Sequence, residues 1–333
     1  MQPVSGIHCR LHCSKRKLMP FFTGNKQSGD EKEIAKNTIA FFELVQKNIL
    51  VTGGNGQLGS ELQRVQLKAE DNLKFFFTDV DTLDITDRNA LDTFVKANNI
   101  RYIINCAAYT AVDKAEDDID LCYKINRDAV ANIAAVAADN KAKVVHVSTD
   151  YVFDGTKTTS YVESDPVSPR SVYGRSKQEG EAELLRLCPQ SVVIRTAWLY
   201  SIYGNNFVKT MIRLGKEREA LSVVADQTGT PTNAADLAAA IVDIIRYAEA
   251  KELVPGIYHF SNEGVTTWYD FTLAIHREAG ITTCKVSPIT TAEYPTKATR
   301  PQYSVLDKTK IKTTFGLSIP QWEDSLRKCI EEL

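Results

Sequence analysis

The chain has 333 residues, 43% hydrophobic and 25% charged, proportions that exclude a disordered or collagen-like chain and leave room for one large domain or two intimate ones. Its 40 basic and 42 acidic residues leave a net charge of −2, so no global positive field exists to hold nucleic acid or an anionic membrane. No uncharged apolar stretch approaches the ~20 residues of a spanning helix, and seven cysteines without a CxxC pair fit reduced thiols in a cytoplasm rather than a disulfide framework.

Residues 1–46 read differently from the rest of the chain. A basic start (Arg10, Lys15, Arg16, Lys17), turn formers from Thr23 to Asp30 and the lack of a period predict a poorly structured extension. The run His8-Cys9-x-x-His12-Cys13 places four soft ligands within six residues with no second pair at finger distance, a spacing that does not favour zinc. Leu18 to Phe22 is too short for the apolar core of a secretory signal.

At Lys47 the pattern changes. Asn48–Thr52 is a short β-branched apolar run ending in a glycine cluster, and Leu58–Lys68 reads as helix. Further buried strands are predicted at Lys74–Asp79, Tyr102–Ala107, Val144–Ser148, Val192–Thr196, Leu221–Val224 and Gly256–Phe260. The helices between them are Asp87–Asn99, a long alanine-rich Asp118–Asn140, Ser171–Leu187, Asn206–Lys216, Ala234–Ala248 and Thr267–Ala279. Such alternation predicts an α/β protein with a doubly wound parallel sheet of the Rossmann type, covered on both faces. Pro288, Pro295, Pro301 and Pro320 punctuate shorter segments that suit a small C-terminal cap. The expected division is a dinucleotide-binding domain over 47–200 and a mainly substrate-binding cap over 201–333, with the strand and helix of 221–250 returning to the main sheet.

The turn Thr52-Gly53-Gly54-Asn55-Gly56-Gln57-Leu58-Gly59 joins the first strand to the first helix, where a dinucleotide pyrophosphate would sit on free backbone N–H groups. Asp79, 20 residues past Gly59, ends the second strand, where a carboxylate accepts hydrogen bonds from an adenosine ribose; Asp81 offers the same two positions on. Tyr173 and Lys177 have the i,i+4 spacing that brings phenol and ammonium onto one helix face, and a cation there favours the phenolate. The strand Val144–Ser148 delivers Ser148, Thr149 and Asp150 at its carboxyl end, where ligands of open α/β sheets bind. A Thr149 hydroxyl can share a substrate oxygen with Tyr173. His146, His259 and His276 fall inside strands or helices and read as packed rather than reactive.

Several linked segments carry a resemblance: the glycine turn, Cys106-Ala-Ala-Tyr-Thr-Ala-Val-Asp-Lys-Ala-Glu116, Ser148-Thr-Asp-Tyr-Val-Phe-Asp154, Val172-Tyr-Gly-Arg-Ser-Lys177, Arg195-Thr-Ala-Trp198, Gly204-Asn-Asn-Phe207, Asp226-Gln-Thr-Gly-Thr-Pro-Thr232 and Arg300-Pro301. From about Asn48 to its end the chain resembles the extended short-chain dehydrogenase/reductases and, among them, the dTDP-4-dehydrorhamnose reductases. The resemblance implies that Tyr173 donates a proton to a sugar C4 carbonyl oxygen while NADPH or NADH delivers hydride to C4, giving dTDP-L-rhamnose for cell-surface polysaccharide. Lys177 would lower the Tyr173 pKa and hold the nicotinamide ribose, and Thr149 would bond the reacting oxygen. Gly53, Gly56, Gln57, Leu58, Gly59, Asp79, Asp84, Ala107, Ala108 and Thr110 fall where the family holds its cofactor. Asp150, Trp198, Asn206 and Arg300 fall on its substrate side, although Asn205 to Phe207 also reads as a helix cap with a core anchor, and Trp198 as an aromatic plug.

Where some members place an acid that holds a dimer-bridging magnesium, this chain has Ala235, so no metal is expected, and a monomer or homodimer is. Another nucleotide-sugar epimerase or reductase of the superfamily, and a regulatory subunit resembling the methionine adenosyltransferase β subunit, are the alternative readings. A binding module need not preserve Thr149, Tyr173 and Lys177 together. If the extension carries no function, removing residues 1–44 should leave turnover unchanged in a nicotinamide-absorbance assay; a truncated chain that fails to fold would contradict that reading.

Overall fold

The computed structural model describes residues 46–68 and 72–333. The expected extension, with its His8–Cys13 run, therefore lies outside the described residues apart from Gln46. In chain order, β1 (Lys47–Thr52) leads to α1 (Gln57–Lys68), β2 (Leu73–Thr78), α2 (Arg88–Ala97) and β3 (Ile100–Asn105). Next come α3 (Ile119–Tyr123) and α4 (Ala129–Asp139), joined by a π-helical turn at Lys124–Asp128, then β4 (Lys143–Thr149), α5 (Val172–Leu187) and β5 (Val192–Thr196). The remainder comprises β6 (Leu199–Tyr200), α6 (Phe207–Glu217), β7 (Ala220–Val224), β8 (Thr228–Gly229), β9 (Thr232–Asn233), α7 (Ala234–Ala250), β10 (Gly256–His259), β11 (Thr266–Thr267), α8 (Trp268–Glu278), β12 (Lys285–Ile289), α9 (Thr309–Phe315) and α10 (Trp322–Glu331).

The main sheet has six parallel strands in the order β2-β1-β3-β4-β5-β10. Because side chains alternate across a strand, each strand feeds two cores. Ile49, Val51, Tyr102, Ile104, Val145, Val192 and Ile194 face α1 and α7. Leu50, Ile103, Val144 and Val193 face α2, α4 and α5, where Ala129, Ala134 and Ala137 allow the close approach that an alanine-rich helix suggests. A doubly wound sheet is thus built from strands with no solvent face. The order of strand addition reverses between β1 and β3, and this switch point opens a crevice at the carboxyl ends of the strands.

Two expectations need correction. The strand near 221–224 does not return to the main sheet: β7 pairs in parallel with β12, Leu221 opposite Val286 and Val223 opposite Pro288. Its pattern explains why, since Leu221 and Val223 are buried while Ala220 and Ser222 are exposed, so the strand has one apolar face rather than two. The helix does return, as α7, and the strand that adds to the sheet edge is β10, beside β5. Leu221 and Val223 join Met211, Phe271, Ile275 and Leu326 in a separate cluster under the cap elements.

The long helix expected at 118–140 is interrupted by the π-helical turn. Asn126 lies in that turn with its backbone against α5, where a Cβ on Gly180 would sit 2.0 Å from the Asn126 carbonyl oxygen. Gly180→Ala should therefore force the helices apart and cost about 1–3 kcal/mol of stability. The check is the urea midpoint: a lower midpoint is expected, and an unchanged one would show that α5 is not held so closely.

Candidate active site

Glycine is required in the turn after β1. Gly53 has a φ of 67°, and a Cβ on it would lie 2.7 Å from the Ala107 nitrogen just beyond β3. A Cβ on Gly59 would lie 2.4 Å from the Gly53 carbonyl oxygen. So tight a turn sets the start of α1, with its unpaired N–H groups, at the carboxyl edge of the sheet, where the helix dipole also favours an anion. On one side lies a cavity of about 390 Å³ lined by Gly53, Gly56, Asp79, Asp84 and Ala107; a second, of about 560 Å³, shares Gly53, Gly56 and Ala108 with it.

Asp79, rather than Asp81, lines the first cavity. Its Oδ2 accepts from the Asn55 N–H at 3.0 Å and its Oδ1 from the Val80 N–H at 2.8 Å, so the carboxylate is fixed to the glycine turn itself. Asp84 is held by the Thr86 N–H at 2.8 Å. A two-part cavity with an anion cradle between the parts and an oriented carboxylate at one end fits a dinucleotide.

The second cavity gathers Gln57, Leu58, Gly59 and Thr110 with Thr149, Asp150, Tyr173, Lys177, Trp198 and Asn206. Thr149 ends β4 and caps the short turn Asp150–Val152, accepting from the Tyr151 N–H at 3.2 Å and donating to Asp150 Oδ1 at 3.0 Å. The start of α5 is held against that turn: Ser171 Oγ accepts from the Gly174 N–H, Glu116 accepts from the Val172 N–H, and a Cβ on Gly174 would sit 2.3 Å from the Tyr151 carbonyl oxygen. This close approach brings Tyr173 to Thr149, with the Tyr173 ring edge-on to Tyr151 at 5.5 Å.

Burial dominates the charges here. It pushes the Tyr173 phenol well above its ordinary value, against the lowering effect of the Thr149 side chain. Burial outweighs the lowering expected from Lys177. Nζ of Lys177, 2% exposed, donates to the Val147 carbonyl at 2.7 Å and lies 3.3 Å from His146 Nε2. Burial lowers Lys177 to about 8. It raises the Asp150 carboxyl to about 6, and Asp150 Oδ2 is buried without a hydrogen-bond partner. Among the described residues, no group of His, Cys, Asp and Glu side chains is placed to hold a metal ion, and no helix is long and apolar enough to cross a membrane.

A family model described as RmlD substrate binding domain matches residues 47–333. A dTDP-4-dehydrorhamnose reductase of Aggregatibacter actinomycetemcomitans is 43% identical over 285 residues, which is 84% of this chain and 97% of that protein. The chain belongs to the dTDP-4-dehydrorhamnose reductase family. A crystal structure of the reductase from Clostridium acetobutylicum is 46% identical, with a TM-score of 0.81 over 86% of this chain and 99% of that one. The reductase from Bacillus anthracis, solved in complex with NADP, is 40% identical, with a TM-score of 0.81 over 86% and 100%.

Within this member of the reductase family the remaining residues expected on the substrate side take distinct positions. Trp198 occupies left-handed backbone at a φ of 48°, unusual for a bulky residue, and stacks on Trp268 with ring centroids 3.6 Å apart. Gly229 makes room for it, since a Cβ there would come within 2.6 Å of the indole. Trp268 escaped sequence reasoning; the visible signal was only an aromatic following a Thr-Thr helix start. Asn206 is the N-cap of α6, accepting from the Lys209 N–H at 3.1 Å, and its amide donates to Gln57 Oε1 at 3.0 Å. Arg300 lines neither cavity: it pairs with Asp113 at 2.6 Å and donates to the Tyr151 hydroxyl at 3.2 Å. His146, read as merely packed, touches Lys177.

Gly59→Ala should distort the cradle by about 1–3 kcal/mol, weakening dinucleotide binding roughly 5–150-fold. Fluorescence titration with NADPH measures it, and wild-type affinity would show that the turn does not carry the pyrophosphate.

Proposed function

We propose that the chain reduces the C4 keto group of dTDP-4-dehydro-6-deoxy-L-mannose to dTDP-L-rhamnose, with NADPH or NADH as reductant. The observation that carries this reading is the convergence of Thr149, Tyr173 and Lys177 on one cavity beside a dinucleotide cradle, in a chain of this family. When bound, the nicotinamide supplies the hydride that adds to C4. The chain's own residues manage the oxygen.

Tyr173 gives its proton to the C4 oxygen as the carbonyl becomes an alcohol. Because burial holds its pKa up, the phenol is fully protonated at neutral pH, the form a donor needs before reduction begins. Thr149 lends its hydroxyl to the same oxygen. The Lys177 ammonium, one helical turn from Tyr173, offsets the phenolate charge that develops and binds the nicotinamide ribose. Asp150 accepts from a sugar hydroxyl through its free Oδ2, and the Trp198 face lies against the pyranose. Gly53, Gly56, Gln57, Leu58 and Gly59 hold the pyrophosphate, Asp79 and Asp84 the adenosine end, and Ala107, Ala108 and Thr110 the stretch towards the nicotinamide. Asn206 ties the cofactor turn to the cap, and Arg300, which lines neither cavity, supports Tyr151 from the Asp113 side.

A non-catalytic regulatory role has less support, because a pure binding module has no use for a buried lysine beside a capped phenol. The working compartment we assign is the cytoplasm: the five cysteines among the described residues are all free thiols. The reading assigns the reaction no metal ligand among the described residues, and a monomer or homodimer as the working unit.

Tyr173→Phe should keep the ring packing and dinucleotide affinity while lowering turnover of the dTDP-4-keto sugar by at least about 10²-fold. Steady-state kinetics with a parallel dinucleotide titration checks this, and a fully active variant would remove Tyr173 from the mechanism.

A further inference from the structure

Four buried side chains run in a line beneath the catalytic cavity, one each from β1, β3, β4 and α5. Thr52 Oγ1 donates to Asn105 Oδ1 at 2.7 Å, and the backbone N–H of Ala107 donates to the same oxygen at 3.2 Å. Two donors on one atom decide which end of the amide is oxygen, so Asn105 Nδ2 is the atom 3.0 Å from His146 Nδ1, and it donates. His146 Nδ1, as an acceptor, carries no proton. The imidazole is fully buried, and burial and then the Lys177 charge hold it neutral, so its one N–H is at Nε2. That N–H faces Lys177 Nζ at 3.3 Å.

An N–H directed at Nζ is a hydrogen bond when the lysine is an amine and an opposition of two donors when it is an ammonium. The alternative arrangement, with His146 Nδ1 protonated and Nε2 accepting from the ammonium, needs the Asn105 amide turned over. Its NH₂ would then meet the Ala107 N–H at the wall of the cofactor cavity. We propose that Asn105 and His146 are positioning residues for the reduction: acting through Lys177, the tautomer that Asn105 imposes on His146 sets the pH at which Lys177 gives up its proton. The inference deepens the proposed function and rests on Lys177 being the cation beside the reacting phenol.

The other groups around Lys177 are tied up or held neutral by burial. Glu181, on the same helix, is locked in a buried ion pair with Arg195, with contacts of 3.0 and 2.7 Å. Burial pushes the Cys106 thiol, just after β3, up to about 12, and raises Cys122 in α3 as well as Tyr173. Burial brings Lys177 down to about 8 against the raising influence of Glu181, Cys106 and Cys122, and Asp150, raised to about 6 across the cavity, belongs to the acid side of the profile.

His146→Gln tests the proposal, because a glutamine amide can present its oxygen to Nζ as the imposed tautomer cannot. The pH profile of kcat/KM for the keto sugar nucleotide should keep its shape, with the alkaline limb moved up by about one pH unit and dinucleotide affinity unchanged. A folded variant whose alkaline limb coincides with that of the wild type overturns the proposal. Should the variant fail to fold, ¹⁵N NMR of the imidazole nitrogens in the unsubstituted full chain decides. Protonated Nε2 with unprotonated Nδ1 is expected; a proton on Nδ1, or on both nitrogens, overturns it. A wild-type chain inactive towards the keto sugar would sink the proposed function instead, and the NMR experiment would still decide the tautomer.

Discussion

A charged amine has to be kept out of water, and much of the structure depends on how that is done. Lys177 is 2% exposed, and its ammonium is held by the Val147 carbonyl at the end of β4. Burying a cation is costly unless it is bonded, so helix and strand must approach closely enough for that bond to form. Gly174 permits the approach, against the Tyr151 carbonyl just beyond β4, while Gly180 lets the other side of α5 close on the Asn126 carbonyl, and Ser176 lies fully buried between them. The same closeness places Tyr173 beside Thr149. A larger residue at either glycine would lift the helix and, with it, both the phenol and the amine.

The second constraint is the switch point of the sheet. Since β1 is followed outward by β2 and, across the sheet, by β3, the loops beyond β1 and β3 diverge, and the cradle at Gly53–Gly59 lies in the gap. β4 and β5 end on the same edge, so Thr149 and Trp198 come to one cavity from adjacent strands, with Thr149 opposite Thr196 in register. The cap adds an aromatic wall rather than more sheet: Trp268 under Trp198, with Phe207 beside it. Holding Trp198 in left-handed backbone costs on the order of 1–3 kcal/mol, which the stacked indole and the space over Gly229 help to offset.

Much of this was legible in the chain because its physics is local. An apolar run with no polar alternation means a strand buried on both faces, and all six main strands were visible as such, β10 included. The glycine turn and the spacing of Tyr173 and Lys177 are likewise short-range patterns. What escaped depends on partners far away in sequence. β7 pairs with β12, some 60 residues on, rather than with the main sheet, and the π-helical turn at Asn126 packs against Gly180, more than 50 positions away. Trp268 gains meaning only from Trp198, 70 positions earlier in the numbering, and Arg300 only from Asp113. For Tyr173, spacing suggests a neighbouring charge and says nothing about desolvation, which here is the larger effect.

The proposed reduction requires hydride to reach the sugar carbon while the Tyr173 phenol supplies the proton. The most direct measurement is label transfer: the chain is incubated with the dTDP-4-keto sugar and reduced nicotinamide dinucleotide carrying deuterium at the transferable position, and the product is examined by NMR. Deuterium at C4 of a dTDP-6-deoxyhexose, formed in step with cofactor oxidation, is the predicted result. Deuterium at another carbon, or cofactor oxidation with none in the sugar, would contradict it.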